Sequence, residues 1–221
     1  MTGNDLSSIL GLRLEDPAQS TFTSQAKMDA INIAQRSVVN MVDNGYLDEL
    51  ESIVSGHSIS GGSATFSAVF GANNNPIRGG IVGVFDNTNG LWCTMIEAKD
   101  VKRLENSYLS GDTSNAVFYA FKETIYIKPT TVSSIDVWYL KAPTDFVYTD
   151  SSASSGGMAS TCELNPALYE LVLDFAESQL WRMDAKNDRA TSAYNSALNI
   201  LKTLNERYQL EKPQGIGTKG R

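Results

Sequence analysis

The sequence predicts an α+β fold: a helical bundle from the N- and C-terminal segments, an inserted antiparallel β module and an extended C-terminal tail. Three observations carry this. Apolar residues recur at helical spacing near both ends, in 23–42 and in 165–208. Between them, from Ser55 to Tyr148, the helical period disappears into Gly, Asn, Ser, Thr and β-branched residues with stretches of period two. The last eleven residues hold three glycines, one proline and a single large apolar side chain, Ile216. Such a segment cannot offset its own ordering entropy. The expected organisation is 1–54 helical, 55–148 inserted β module, 149–164 linker, 165–210 helical hairpin and 211–221 tail.

Residues 4–13 read as a short helix closed by Asp16-Pro17. Thr23 is a good cap for the next one, whose single face runs through Ala26, Ala30, Ile31, Ala34, Val38, Met41 and Val42. Asn44-Gly45 reads as a left-handed exit, and 46–54 as a short second helix. Ile33 and Val39 lie off the main face. In the β region the expected strands are 64–70, 80–85, 91–97, 117–121, 124–128 and 134–140, separated by turn clusters at 71–76, 86–90 and 110–115. Residues 100–109 suggest a helical turn between strands. Ile125, Ile127, Val137 and Tyr139 alternate with polar neighbours, the signature of strands with one buried side. Residues 151–160 read as a Ser/Gly/Ala linker.

The C-terminal segment opens with Asn165-Pro166, a capping side chain followed by a ring already at a helical φ. Leu168, Leu171, Val172, Phe175, Ala176, Leu180 and Met183 form one stripe. A polar run at 184–188 interrupts it, where Asn187 or Asp188 can cap a new start, and a second stripe runs from Ala190 to Tyr208. Two helices in a hairpin is the reading; one bent helix is the alternative. Leu164, Leu173, Trp181 and Ile200 fall off the main faces. They are either the edges of a wide core stripe or a second face for a neighbouring subunit, and the second is favoured. Ile33, Val39, Leu173, Trp181 and Ile200 are thus the expected subunit-interface residues.

Composition excludes several functions. With 18 basic and 25 acidic residues the net charge is −7, and only 211–221 is net basic. An acidic body does not grip nucleic acid through its phosphates. Cys93 and Cys162 form neither a CxxC nor a disulfide framework, so free thiols in a reducing compartment are expected. No apolar run reaches membrane-spanning length, and the N-terminus does not read as a signal peptide. A soluble protein made in a cytoplasm is expected.

Catalytic chemistry finds little support. The one histidine, His57, lies in what reads as a solvated loop with no nucleophile or metal partner at a useful spacing. Gly61-Gly62-Ser63 and Arg78-Gly79-Gly80 lack the spacing of phosphate loops. The densest carboxylates, Asp43, Asp48, Glu49 and Glu51, read as a solvated helix end. Trp92, Trp138 and Trp181 are scattered, a weak basis for a sugar-stacking platform. No catalytic, metal or cofactor residues are assigned.

The stretch 22–35 resembles the first helix of the head-to-tail adaptor (connector) proteins of tailed bacteriophages. Residues 123–129, a strand ending in Pro129, and 135–143, a strand followed by Tyr139-x-x-x-Pro143, resemble the segment such proteins carry before a linker and a terminal helical hairpin. The resemblance covers most of the chain as layout rather than as a diagnostic motif. It departs from that pattern in 55–115, which is longer and richer in Gly and Asn. It implies a structural virion protein, not an enzyme and without cofactor, in a ring that is commonly dodecameric. Such a ring sits at the head–tail junction, assembled in the host cytoplasm, and contacts the portal protein above and a tail or nozzle protein below. DNA passes through it without sequence-specific binding, and no membrane is involved. On this reading Lys212, Pro213, Gln214, Ile216, Lys219 and Arg221 are the portal-docking residues of the tail. The competing expectation is a β-rich carbohydrate- or protein-binding module using the aromatics of the insert. The two are separated by glycan binding that depends on Trp92 and Trp138.

Overall fold

The computed structural model describes residues 1–71, 76–105, 111–148 and 160–211. The chain is α+β and divides into two compact units, Met1–Glu49 with Pro143–Arg221, and Leu50–Ala142.

The first unit is helical. Helix α1 (Gly3–Arg13) starts in a capping box: Thr2 Oγ1 accepts from Asp5 N, and Thr2 N donates to Asp5 Oδ2. Helix α2 (Ser24–Met41) is capped by Thr23, whose side chain accepts from Ala26 N. Between them Asp16 organises the turn. Its buried carboxylate accepts from Ser20 N and Oγ, Thr21 N and Phe22 N, and its carbonyl accepts from the buried Lys27 Nζ at 2.9 Å. The bond from Phe22 N, reinforced by those from Ser20 and Thr21, outweighs burial and lowers the Asp16 pKa to about 2. That lies below the ordinary unfolded value of about 3.9. The stabilisation is therefore fully present above about pH 4–5 and lost as pH falls through 2. Acid unfolding of Asp16→Asn is expected to depend less steeply on pH between 4 and 2 than that of the native chain. Equal slopes would mean that Asp16 is not a source of the acid sensitivity.

The exit of α2 departs from the sequence expectation. Asn44–Tyr46 and Asp48–Leu50 are 3₁₀ turns, and Gly45 does not adopt a positive φ. Gly45 instead lies against Tyr208: a Cβ there would stand 1.9 Å from its ring, so the ring would have to shift. Asn205 stitches the same corner, accepting from Asp43 N and donating to Met41 O.

A short helix of the second unit, α3 (Phe66–Phe70), precedes the two C-terminal helices in chain order, which are α4 (Tyr169–Met183) and α5 (Asn187–Glu211). Asn165 Oδ1 accepts from Ala167 N, and a 3₁₀ turn at Pro166–Leu168 leads into α4. With α4 and α5 separate, the segment is a hairpin. Helix α5 begins at Asn187, which places Asn187 and Asp188 inside its first turn rather than at the cap. An acid there suits the helix dipole. Helix α4 packs against α1, α2 and α5 together. It is buried on more than one side, and Leu171, Val172, Leu173, Phe175, Ala176, Leu180 and Trp181 all join the core. Met183, expected in the stripe, is exposed.

The second unit is built from two four-stranded sheets. Its strands are β1 (Glu51–Ser58), β2 (Ser63–Thr65), β3 (Ile81–Asp86), β4 (Leu91–Trp92), β5 (Thr94–Met95), β6 (Val117–Phe121), β7 (Thr124–Lys128) and β8 (Ser134–Leu140). One sheet has the order β1-β8-β3-β4 and the other β2-β7-β6-β5. All pairs are antiparallel except β5 with β6. Val84, Ile135 and Val137 of the first sheet and Phe118, Ile125 and Ile127 of the second fill one core. Helix α3 closes part of it.

Three expectations are corrected here. Residues 46–54 are not a helix: β1 begins at Glu51, so the insert starts at Leu50 rather than Ser55 and ends at Ala142 rather than Tyr148. The strand expected over 64–70 ends at Thr65, whose Oγ1 accepts from Ala68 N and starts α3 instead. The strand expected over 91–97 breaks at Cys93 into β4 and β5, which belong to different sheets. The Ala98–Glu105 segment is a 3₁₀ helix, where a helical turn was expected. Most of the expected linker, 149–159, lies outside the described residues.

Candidate interaction surfaces

Three places on the two units gather polar or exposed side chains. The first lies where α2, α4 and α5 meet. Ser37, Asn40, Phe175, Ser178, Arg182 and Tyr194 line a groove of 410 Å³. Its floor is Phe175, in edge contact with Tyr194 at 5.8 Å, and Arg182 lies 5.3 Å over the Tyr194 ring. Ile33, one turn before Ser37 on α2, is 50% exposed, and Leu198, one turn after Tyr194 on α5, is also exposed. The groove therefore has an apolar rim on two helices.

The second is a charge cluster between α1, α4 and α5. Arg13 pairs with Glu170, with Asp174 at 2.6 Å and with Glu177 at 3.8 Å, three acids spaced along one side of α4. Burial works against the charge on Arg13, but the hydrogen bonds from it to Asp174 and Glu170 raise its pKa. Trp181 stands beside this cluster, edge-on to Phe22 at 5.9 Å and under Lys186 and Arg189 at 4.7 and 4.8 Å. Sequence reading missed the cluster. Its signal was the acidic spacing Glu170, Asp174, Glu177, at i, i+4 and i+7.

The third lies on the outer side of the β1-β8-β3-β4 sheet. Trp92 of β4 meets Trp138 of β8 at 4.6 Å, with the rings tilted 45°, and Phe85 of β3 edge-on at 5.5 Å. The ladder explains the meeting: Gly83 faces Trp138, Phe85 faces Trp92, and Gly83 has no Cβ to hold the indole off. A Cβ at Gly83 would come within 2.9 Å of the Trp92 ring. The tryptophans that look scattered in sequence are thus a pair. Trp181 belongs to the other unit.

Against these surfaces the expected interface residues divide. Ile33 is exposed and Ile200 half-buried. Val39, Leu173 and Trp181 are corrected: they lie in this chain's own core, Trp181 only 2% exposed, and offer no surface to a neighbour. The expected docking residues Lys212, Pro213, Gln214, Ile216, Lys219 and Arg221 lie outside the described residues. Glu211, assigned to the tail, is the last residue of α5.

Compared with known proteins, the chain matches no family model, and no curated protein is significantly similar to it.

The remaining candidates for chemistry are placed as follows. His57 sits in β1 opposite Ile135, half-buried, rather than in a loop. It follows a bulge at which Gly56 has a φ of 65°. Burial pushes the Cys93 thiol up to about 11, with Asp86 adding to the rise. Burial also raises the Cys162 thiol, which donates to Gln35 Oε1. Neither is a ready nucleophile. Among the described residues no three His, Cys, Asp or Glu side chains are grouped to hold a metal ion. No described helix is long and apolar enough to cross a membrane.

Proposed function

We propose that this chain is a structural subunit of a ring at the head–tail junction of a tailed bacteriophage, joining the portal vertex to the tail around the DNA channel. The observation that carries the reading is the groove between α2, α4 and α5, with Ile33 and Leu198 exposed on its rim. Helices that leave apolar side chains open beside a concave seam suit lateral packing against an identical neighbour, and a closed ring is one arrangement in which every copy uses that seam. The order of parts in the sequence supports the same reading: a helical unit split by an inserted β unit, followed by a basic segment. The acidic body suits a channel wall that repels DNA and lets it slide. In this role the tail residues 212–221 dock on the portal.

Native mass spectrometry of the purified chain, alone and mixed with a portal protein, tests this. A ring on the portal is the expected result. Deletion of 212–221 is expected to leave the helical unit folded, with unchanged far-UV circular dichroism, while abolishing portal binding. Ile33→Asp is expected to leave the monomer folded and prevent ring closure. A chain that stays monomeric with and without the portal overturns the proposal.

A further inference from the structure

Independently of the ring reading, we infer that the outer side of the β1-β8-β3-β4 sheet is a binding platform for a neutral carbohydrate chain, with Trp92 and Trp138 as its stacking surface. The geometry has three parts. Trp92 is 58% exposed although it touches both Phe85 and Trp138, so more than half of a large aromatic surface stands open while its position is fixed by neighbours. Ile53, opposite Trp138 on β1 and 45% exposed, extends the apolar strip across the sheet. Asp136, two residues before Trp138 and opposite Phe85, shares that side of the sheet. Asp136 Oδ1 accepts from Gly56 N and from Asn87 Nδ2, both at 2.6 Å, which holds the carboxylate beside the rings.

That combination selects the ligand class. A pyranose ring has an apolar side of C–H groups that suits an indole, and edge hydroxyls that donate to a carboxylate or pair with an amide. Size argues against a protein occupant. Trp92 is 58% and Ile53 45% exposed while Phe85 and Trp138 are half-buried, so the open strip is on the order of a few hundred Å². A stable protein interface takes about 800 Å² from each partner. A strip this small suits a short run of sugar units instead. Gly83 is the positioning residue: the close approach of Trp92 depends on the missing Cβ.

The test is titration of the full-length chain with cellohexaose and with maltohexaose, neutral hexose oligomers of different linkage, followed by tryptophan fluorescence and by calorimetry. A saturable response to at least one is expected. Trp92→Ala should weaken it at least tenfold, Trp92→Phe should retain part of it, and Gly83→Ala should weaken it by displacing the indole. Phe121→Ala, an exposed aromatic on the other sheet, should leave it unchanged. Circular dichroism of each variant confirms that it is folded, and Trp92→Phe keeps the measurement readable if the alanine variant is not. No saturable response to either oligomer, or the same response in Trp92→Ala, overturns the assignment. So does a change in self-association on Trp92→Ala, which would give this side of the sheet to a protein surface. Glycan binding and ring formation are read separately, by titration and by mass; a change in self-association on Trp92→Ala bears on both.

Discussion

Trp181→Ala is expected to destabilise the helical unit by about 3–5 kcal/mol, the range for removing a buried large aromatic side chain. Trp181 is 2% exposed and braces Phe22 edge-on, while Lys186 and Arg189 cover its ring. Truncation opens a cavity between the α1–α2 turn and α4, and leaves two cations without their aromatic partner. The measurement is urea unfolding followed at 222 nm, which reports chiefly on the helical unit, with the midpoint falling and the slope unchanged. The variant also separates two roles. A residue serving only a contact between copies would lose assembly and keep monomer stability, as is expected for Ile33→Ala, within about 0.5 kcal/mol. A Trp181→Ala chain as stable as the native one would return Trp181 to the surface.

The same residue shows where sequence reading reached its limit. Caps and period were legible: Thr23 starts α2, Asn165 opens the C-terminal hairpin, and β6, β7 and β8 fall on the expected 117–121, 124–128 and 134–140. Leu173 and Trp181 were misread because apolar residues off a helix's main stripe have two explanations, a partner outside the chain or packing on a second side within it. The choice turns on how many helices surround α4, a long-range property. Val39, 1% exposed, failed for the same reason. In the β unit, Glu51–Val54 was read as the end of a short helix, yet ladder pairing with β8 makes it strand. Phe66, Val69 and Phe70 look like strand residues by type, and the Thr65 cap overrides that preference. The pairing of Trp92 with Trp138 was illegible because it requires the register of β3 against both β4 and β8. Gly45 was read for its conformational freedom, but its φ is not positive and what it gives is room for the Tyr208 ring.

The second large effect is expected at Asn32. This buried side chain, on α2, replaces a strand neighbour for the segment that returns from the insert: its Oδ1 accepts from Phe146 N and its Nδ2 donates to Phe146 O, both at 2.9 Å. Asn32→Ala strands a buried N–H and a buried C=O at once. At about 1–3 kcal/mol for each unsatisfied group, a loss of roughly 2–6 kcal/mol is expected. Arg36, one turn further along α2, pairs with Asp145 of the same segment, but half-exposed pairs of this kind contribute little and will not compensate. Asn32→Asp gives the sharper test. As a carboxylate it still accepts from Phe146 N but sets a negative charge against Phe146 O; protonated, it donates to that oxygen and restores both bonds. Burial next to a carbonyl raises the folded pKa above the unfolded value of about 3.9. The Asp variant should therefore be closest to native stability at low pH and lose stability as pH rises through that raised value. A paired measurement at pH 4 and pH 7, each referenced to the native chain, reads this directly. If Asn32→Asp instead tracks the native protein at both pH values, the side chain is not bridging Phe146 and the return segment is held by other contacts.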